Sequence, residues 1–207
     1  MILRLIYSVV VRWFLKLIVG VQFGKAHFLK GIDQFIIVAN HNSHLDTMTL
    51  LASLPSSILS KVKPVAAQDH FGKTRMSTWF SNTFINTLLI KRKRDKENQL
   101  EDPICQMVSA LDEGYSLIVF PEGTRGIPEQ EQSLKAGIAL VLQERPETLI
   151  VPAYLKGMGK AMPKGDGLII PFNSKLIFGN AKRFADTSVT NVLNEISCEF
   201  QRLKNNI

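Results

Sequence analysis

Six short apolar runs, 33–39, 62–67, 85–90, 116–120, 148–155 and 175–178, alternate with stretches that carry helical periodicity. Alternation on that scale leaves little choice of architecture. Strand, helix and strand in succession pack as parallel strands with helices laid across the sheet. The expected fold is therefore α/β, a mainly parallel twisted sheet flanked by helices. Helices are predicted over 46–54, stopped by Pro55, over 73–82, over 133–144 and over 188–203. Asp102-Pro103 reads as an N-cap followed by proline in the first turn, and Gly114 as the matching C-cap. Pro64 within 62–67 predicts an edge strand or a strand start. The glycine-, lysine- and proline-rich stretch 156–167 reads as a loop or lid.

Two of the strands run into polar loops with chemistry in them. Phe35-Ile36-Ile37-Val38-Ala39 ends in N-H-N-S-H-L-D, residues 40–46. His41 and Asp46 lie five apart, too far for one straight helical face but within reach if the chain turns between them. An Asp accepting from one imidazole nitrogen fixes the tautomer and leaves the other as a base. No serine nucleophile is needed where the substrate brings its own hydroxyl. Ser116 to Phe120 ends in Pro121-Glu122-Gly123-Thr124-Arg125-Gly126. Its glycines allow backbone N–H groups to approach a ligand, beside a hydroxyl and a guanidinium. The strand ending at Ile90 meets Lys91-Arg92-Lys93-Arg94, a set of donors suited to phosphate.

Residues 1–19 place Arg4, Ser8, Arg12 and Lys16 four apart, which on a helix makes a polar stripe roughly 120° wide. Apolar residues, Trp13 and Phe14 among them, cover the remainder. Three charges oppose a transmembrane span, and no small-residue cleavage site follows. The pattern predicts an amphipathic helix (residues 1–24) lying in a membrane interface, joined to a single domain over 25–207; the other reading is a core helix whose charged stripe faces water. Charge agrees with this. Residues 1–96 hold 14 Lys/Arg against 4 Asp/Glu, whereas 97–207 hold 11 against 14, so an anionic surface is the expected partner of the amino-terminal half. Cys105 and Cys198 have neither metal-ligand nor disulfide-scaffold spacing, which points to a reducing compartment and the cytoplasmic face of a membrane.

Taken together, the motifs resemble the glycerolipid acyltransferase family, whose members include the 1-acyl-sn-glycerol-3-phosphate acyltransferases. His41 and Asp46 match its H-x4-D box, and Phe120 to Arg125 match F-P-E-G-T-R completely. Lys135 and Gly137 fall where the family often has K-x-G. A further motif, glycine followed six residues on by arginine, is matched by Arg92 but has Asn86 in the glycine place. Ile150-Val151-Pro152 matches a hydrophobic strand motif with proline.

The resemblance implies that His41, oriented by Asp46, deprotonates a glycerol hydroxyl attacking an acyl thioester. Arg92, Gly123, Thr124 and Arg125 would hold the acceptor's phosphate, and Glu122 would orient its polar head or the loop. It further implies phospholipid biosynthesis, with a lysophospholipid acceptor, acyl-CoA or acyl carrier protein as donor, and no bound cofactor or metal. The bulk of Asn86 is expected to affect which headgroup fits. Other readings are acylation of another lysolipid, a membrane-binding module without catalysis, and a metal-dependent phosphoesterase built on His41, His44, Asp46 and His70. Nucleic acid is not an expected partner, because few aromatics accompany the basic run and no groove-reading motif appears.

Overall fold

The computed structural model describes residues 5–68, 86–95, 98–126, 130–162 and 169–206. The helix expected over 73–82, the first residue of the run 85–90, and His70 lie outside them. Seven strands form the sheet: β1 (Val21–Gln22), β2 (Phe35–Ala39), β3 (Val62–Ala67), β4 (Leu88–Ile90), β5 (Ser116–Val119), β6 (Leu149–Lys156) and β7 (Ser174–Phe178). Their order is β1-β7-β6-β2-β5-β3-β4. Every pairing is parallel except β6 with β7. The main helices are α1 (6–19), α2 (Asp46–Ser53), α3 (Pro103–Asp112), α4 (Gly137–Glu144), the short α5 (Met158–Ala161) and α6 (Val189–Asn205).

β2 is the middle of the sheet and is buried on both faces, as its unbroken apolar sequence requires. Side chains alternate across a strand. Phe35, Ile37 and Ala39 accordingly join the core beneath α1 and α2. Ile36 and Val38 join a second core built with α3, α4 and α6. Asp102 caps α3 by accepting from the N–H groups of Ile104 (2.8 Å) and Cys105 (3.3 Å). It also accepts from Arg94 Nε at 2.9 Å, so one member of the basic run anchors a helix. Gly114 follows α3 at φ +82°, the left-handed turn expected after a helix.

Three local expectations are corrected. β3 lies inside the sheet despite Pro64: its pairs with β5 run from Val62 to Pro64, and those with β4 from Val65 onward. The partner changes at the proline, where ladder pairing on one side has ended. The helix expected from Ser133 begins at Gly137, because the preceding residues are drawn to the loop after β5. There the Lys135 N–H donates to the Pro121 carbonyl at 2.7 Å. Of the stretch 156–167, expected as a loop or lid, residues 163–167 lie outside the described residues, and the rest contains α5, entered through Gly157 at φ +81°.

Helix α1 packs on the core along one apolar row and is exposed along another. Its turns Ile6–Val11 and Leu15–Val19 close wide hydrogen-bonded rings around Arg12–Phe14. Tyr7, Val11, Leu15 and Val19 face the core. Arg12 turns inward out of the polar stripe. It donates to the Ala52 carbonyl in the last turn of α2 at 2.7 Å, and its guanidinium lies 4.4 Å from the centre of the Phe23 ring. A cation at that end of a helix is favourably placed against the dipole. Leu5, Val9, Val10, Trp13, Leu17 and Ile18 remain exposed. Among the described residues, no helix is long and apolar enough to cross a membrane.

Asn86 has φ +52°, the only positive value outside glycine among the described residues. Asparagine is among the few side chains that tolerate that region, so it does the conformational work of the glycine it replaces. Its amide donates towards the carbonyls of Ser60 (3.3 Å) and Val62 (3.4 Å), at the amino end of β3. The side chain is therefore directed to the amino end of β3. Asn86→Gly should shift stability by only a few tenths of a kcal/mol, whereas Asn86→Ala should cost about 1–2 kcal/mol. Denaturant midpoints of the two variants check this, and equal losses would contradict it.

Candidate active site

Strand β2 ends at Ala39, and the next seven residues turn back into α2 around one buried carboxylate. Asp46 is the first residue of that helix and has no solvent exposure. Its Oδ2 accepts from the N–H groups of Asn42 and Ser43, both at 2.7 Å, and from His41 Nδ1 at 2.9 Å. Oδ1 has no hydrogen-bond partner among the described residues. An ionised carboxylate only accepts, so His41 carries its proton on Nδ1 and Nε2 is the basic nitrogen. The imidazole also stacks on Phe120, with ring centres 4.1 Å apart and planes 20° from parallel. Hydrogen bond and stacking together fix the ring in place and in tautomer.

Asn40 and Ser43 tie this loop to its surroundings. The Asn40 amide donates to the Leu155 carbonyl (2.9 Å) and accepts from the Leu155 N–H (2.7 Å), locking the tip of β2 to β6. Ser43 Oγ donates to the Met162 carbonyl at 2.9 Å. Neither role was foreseen in the sequence. A polar residue placed directly at the end of a wholly apolar strand was the available signal for Asn40.

The loop after β5 stands beside the first. Glu122 is buried, and its Oε2 accepts from the His41 N–H at 3.2 Å and from the Gln132 side-chain amide. Gly126 N–H donates to the His41 carbonyl at 3.1 Å, so both backbone groups of His41 are held by this loop. Burial pushes the Glu122 carboxyl up to about 7; nearby Asp46 adds to the effect, while the hydrogen bonds from His41 and Gln132 oppose it. Gly123 sits at φ +72°, a conformation that requires glycine although space for a Cβ exists. Arg92 reaches across from the end of β4 to donate to the Gly123 carbonyl at 3.3 Å. Arg125 contacts the Nε2 of His44, and burial lowers its guanidinium from the ordinary arginine range while Asp46 opposes that. Thr124 is exposed beside them.

His41, Asp46, Arg92, Glu122, Gly123, Thr124 and Arg125, distant in sequence, thus meet at the carboxyl edge of the sheet, the place where open α/β folds bind ligands. Two other members of the basic run do not point there: Lys91 pairs with Glu101, and Arg94 with Asp102. Among the described residues no group of three His, Cys, Asp or Glu is arranged to hold a metal ion. The assembly offers an oriented base next to fixed cations and a glycine turn. That is the equipment for deprotonating a hydroxyl on an anionic substrate.

Residues 20–156 match the family model for the acyltransferases, and the chain belongs to that family. It is 30% identical over 151 residues to Taffazin of Dictyostelium discoideum, covering 69% of this chain and 51% of that protein. It is 29% identical over 143 residues to the chloroplastic 1-acyl-sn-glycerol-3-phosphate acyltransferase LPAT1 of Arabidopsis thaliana, covering 69% of this chain and 37% of that one. The matches thus span about half of the one relative and little over a third of the other. The fold is that of the 1-acyl-sn-glycerophosphate acyltransferase PlsC from Thermotoga maritima, with a TM-score of 0.77 at 20% identity over 100% of this chain and 80% of that one.

Glu122 makes stability depend on pH. The folded state keeps its proton up to about pH 7, whereas the unfolded chain releases it near 4.5. Between those values the folded state binds more protons, so stability falls as pH rises. Glu122→Gln retains an oxygen that accepts from His41 and Gln132 and removes the titration. Its stability relative to wild type should improve between about pH 5 and about pH 8, by at most about 3 kcal/mol. Chemical denaturation at the two pH values checks the sign, and a difference that stays constant would contradict it.

Proposed function

We propose that the protein transfers a fatty acyl group from an acyl thioester to the free hydroxyl of lysophosphatidic acid, giving phosphatidic acid for phospholipid synthesis. The observation that carries this reading is the meeting of an oriented His41–Asp46 pair with Arg92 and Arg125 around the Gly123 turn. His41 Nε2 takes the proton of the acceptor hydroxyl as its oxygen attacks the thioester carbonyl. The carbon–sulfur bond then breaks, and the proton passes from the imidazolium to the departing thiolate. The acceptor oxygen is itself the nucleophile, so no acyl-enzyme is required, and alignment of the two substrates supplies much of the acceleration. Arg92 and Arg125, with Thr124 and the Gly123 backbone, hold the acceptor's phosphate. Glu122 supports that loop and the backbone of His41. The donor is acyl-CoA or acyl carrier protein.

The protein works as a peripheral or monotopic enzyme on an anionic membrane surface, at the cytoplasmic face. Support for this comes from α1, whose exposed apolar residues stand beside Lys16 on a helix anchored to the core. Such a face enters the acyl boundary while its cations meet headgroups. Similarity to Taffazin as well as to a lysophosphatidate enzyme supports a second reading, in which another lysolipid is the acceptor.

Purified protein given a panel of lysolipids with either donor should release thiol only when an acceptor is present. Thiol release indifferent to every lysolipid would remove the reading. His41→Ala should lower turnover by about 10²–10⁴ or more with the fold intact. Asp46→Asn keeps an oxygen for the two backbone donors yet loses control of the tautomer, so it should also slow turnover severely. Near-normal rates in a folded His41→Ala protein would exclude His41 as the base.

Arg92→Ala and Arg125→Ala should each raise KM for a phosphate-bearing acceptor by about one to two decades. KM for the donor should change little. If only donor binding weakens, the two pockets are assigned the wrong way round.

A further inference from the structure

The apolar surface exposed on α1 does not stop at the end of that helix. The Phe172 N–H donates to the carbonyl of Val19, the last residue of α1, at 3.0 Å. The Gln22 amide donates to Asn173 Oδ1 at 2.9 Å, and β1 pairs with β7 immediately beyond. Residues 170–173 are thereby held against the carboxyl end of α1. Ile170 is 47% exposed and Phe172 38%, while neighbouring Ile169 packs into the core and fixes the segment from beneath. The Ile170 N–H donates to the Ala161 carbonyl at 2.9 Å, and the Phe172 ring lies against Gly157, where a Cβ would come within 3.0 Å of it. These two apolar side chains thus protrude from a well-tied segment that is bonded at Phe172 to Val19, the residue after exposed Leu17 and Ile18.

Lysines border the combined surface. Lys16 Nζ lies 5.7 Å from the centre of the Trp13 ring and Lys160 Nζ 5.2 Å from that of Phe172. An aromatic residue with an ammonium group at its rim suits the boundary of an anionic bilayer, where the ring enters the interface and the cation stays with the headgroups. Contiguous exposed apolar surface of this kind marks a contact site.

We infer that Ile170 and Phe172, with Lys160, form a second membrane-inserting wedge that docks on an anionic lipid bilayer together with α1. The inference rests on the proposed interfacial role of α1 and extends it. Two contacts from distant parts of the chain fix the orientation of the domain on the bilayer, whereas a single helix leaves it able to roll. The same segment connects through Ala161 and Met162 to Ser43, so the wedge is tied to the loop that carries His41.

The test uses the full chain with Cys105→Ser and Cys198→Ser. An environment-sensitive dye is attached to a cysteine introduced by Leu17→Cys, Phe172→Cys or, on the opposite side of the sheet, Glu113→Cys. With vesicles of mixed phosphatidylcholine and phosphatidylglycerol, dyes at 17 and 172 should shift to the blue and be quenched by brominated lipid, while that at 113 should not respond. Ile170→Ser/Phe172→Ser should lower vesicle partitioning roughly tenfold or more and leave turnover of a short soluble lysolipid unchanged. A response at 17 with none at 172 would overturn the wedge and leave the role of α1 standing. Silence at both positions would remove the membrane reading and the wedge with it. A shift at 172 that appears without lipid as protein concentration rises would show that a second copy covers this face, and would also overturn it.

Discussion

Asp46 is the interaction on which the site is built. A carboxylate without solvent exposure is tolerated only when donors replace its water, and here three converge on one oxygen. Two are the backbone N–H groups of Asn42 and Ser43, so the carboxylate holds that turn of the loop against its Oδ2. The third is the imidazole of His41. The contact that would direct a base is therefore the same contact that shapes the chain carrying it. Its position at the start of α2 adds the favourable end of that helix's dipole. Loss of the whole side chain acceptor would act on loop geometry and tautomer together.

A second layer of control comes from the loop after β5. Glu122 and Gly126 hold the N–H and C=O of His41, and Gln132 holds Glu122. Glu122 lies near the charge of Asp46, and burial with that repulsion pushes its carboxyl up to about 7. Around neutral pH Glu122 is thus partly protonated, which lowers the density of negative charge beside Asp46 and His41. Asp46 accepts from three N–H donors, all on Oδ2.

Much of this was legible in the sequence, for identifiable reasons. An apolar run such as 35–39 reads as a buried strand, and the His41–Asp46 spacing allows contact across the turn that is found. Asp102-Pro103 and Gly114 set the limits of α3 through local backbone chemistry alone. What sequence could not convey were partners supplied by distant chain. The Asn40 clamp on Leu155 spans 115 positions and the Gln132 contact with Glu122 spans 10, neither with any periodic signature. The late start of α4 has the same origin: tertiary hydrogen bonds to the β5 loop outweigh the helical propensity of 133–136. Arg92, Arg94 and Lys91 are alike in sequence but diverge in space, because a charge run says nothing about which neighbours its members will meet.

Helix α1 shows how one segment satisfies two demands that a simple amphipathic pattern runs together. A helix with a polar stripe and an otherwise apolar surface has more apolar width than one contact can cover. Here one apolar row, Tyr7, Val11, Leu15 and Val19, is spent on the core, and a second remains outside. The guanidinium of Arg12, between them, bonds to Ala52 at the end of α2. That bond joins α1 to the far end of the helix that begins with Asp46. The orientation of the exposed apolar row is consequently coupled to the loop bearing His41 through a single eight-residue helix. Any contact made by the exposed row of α1 is thus linked to that loop through packed helix.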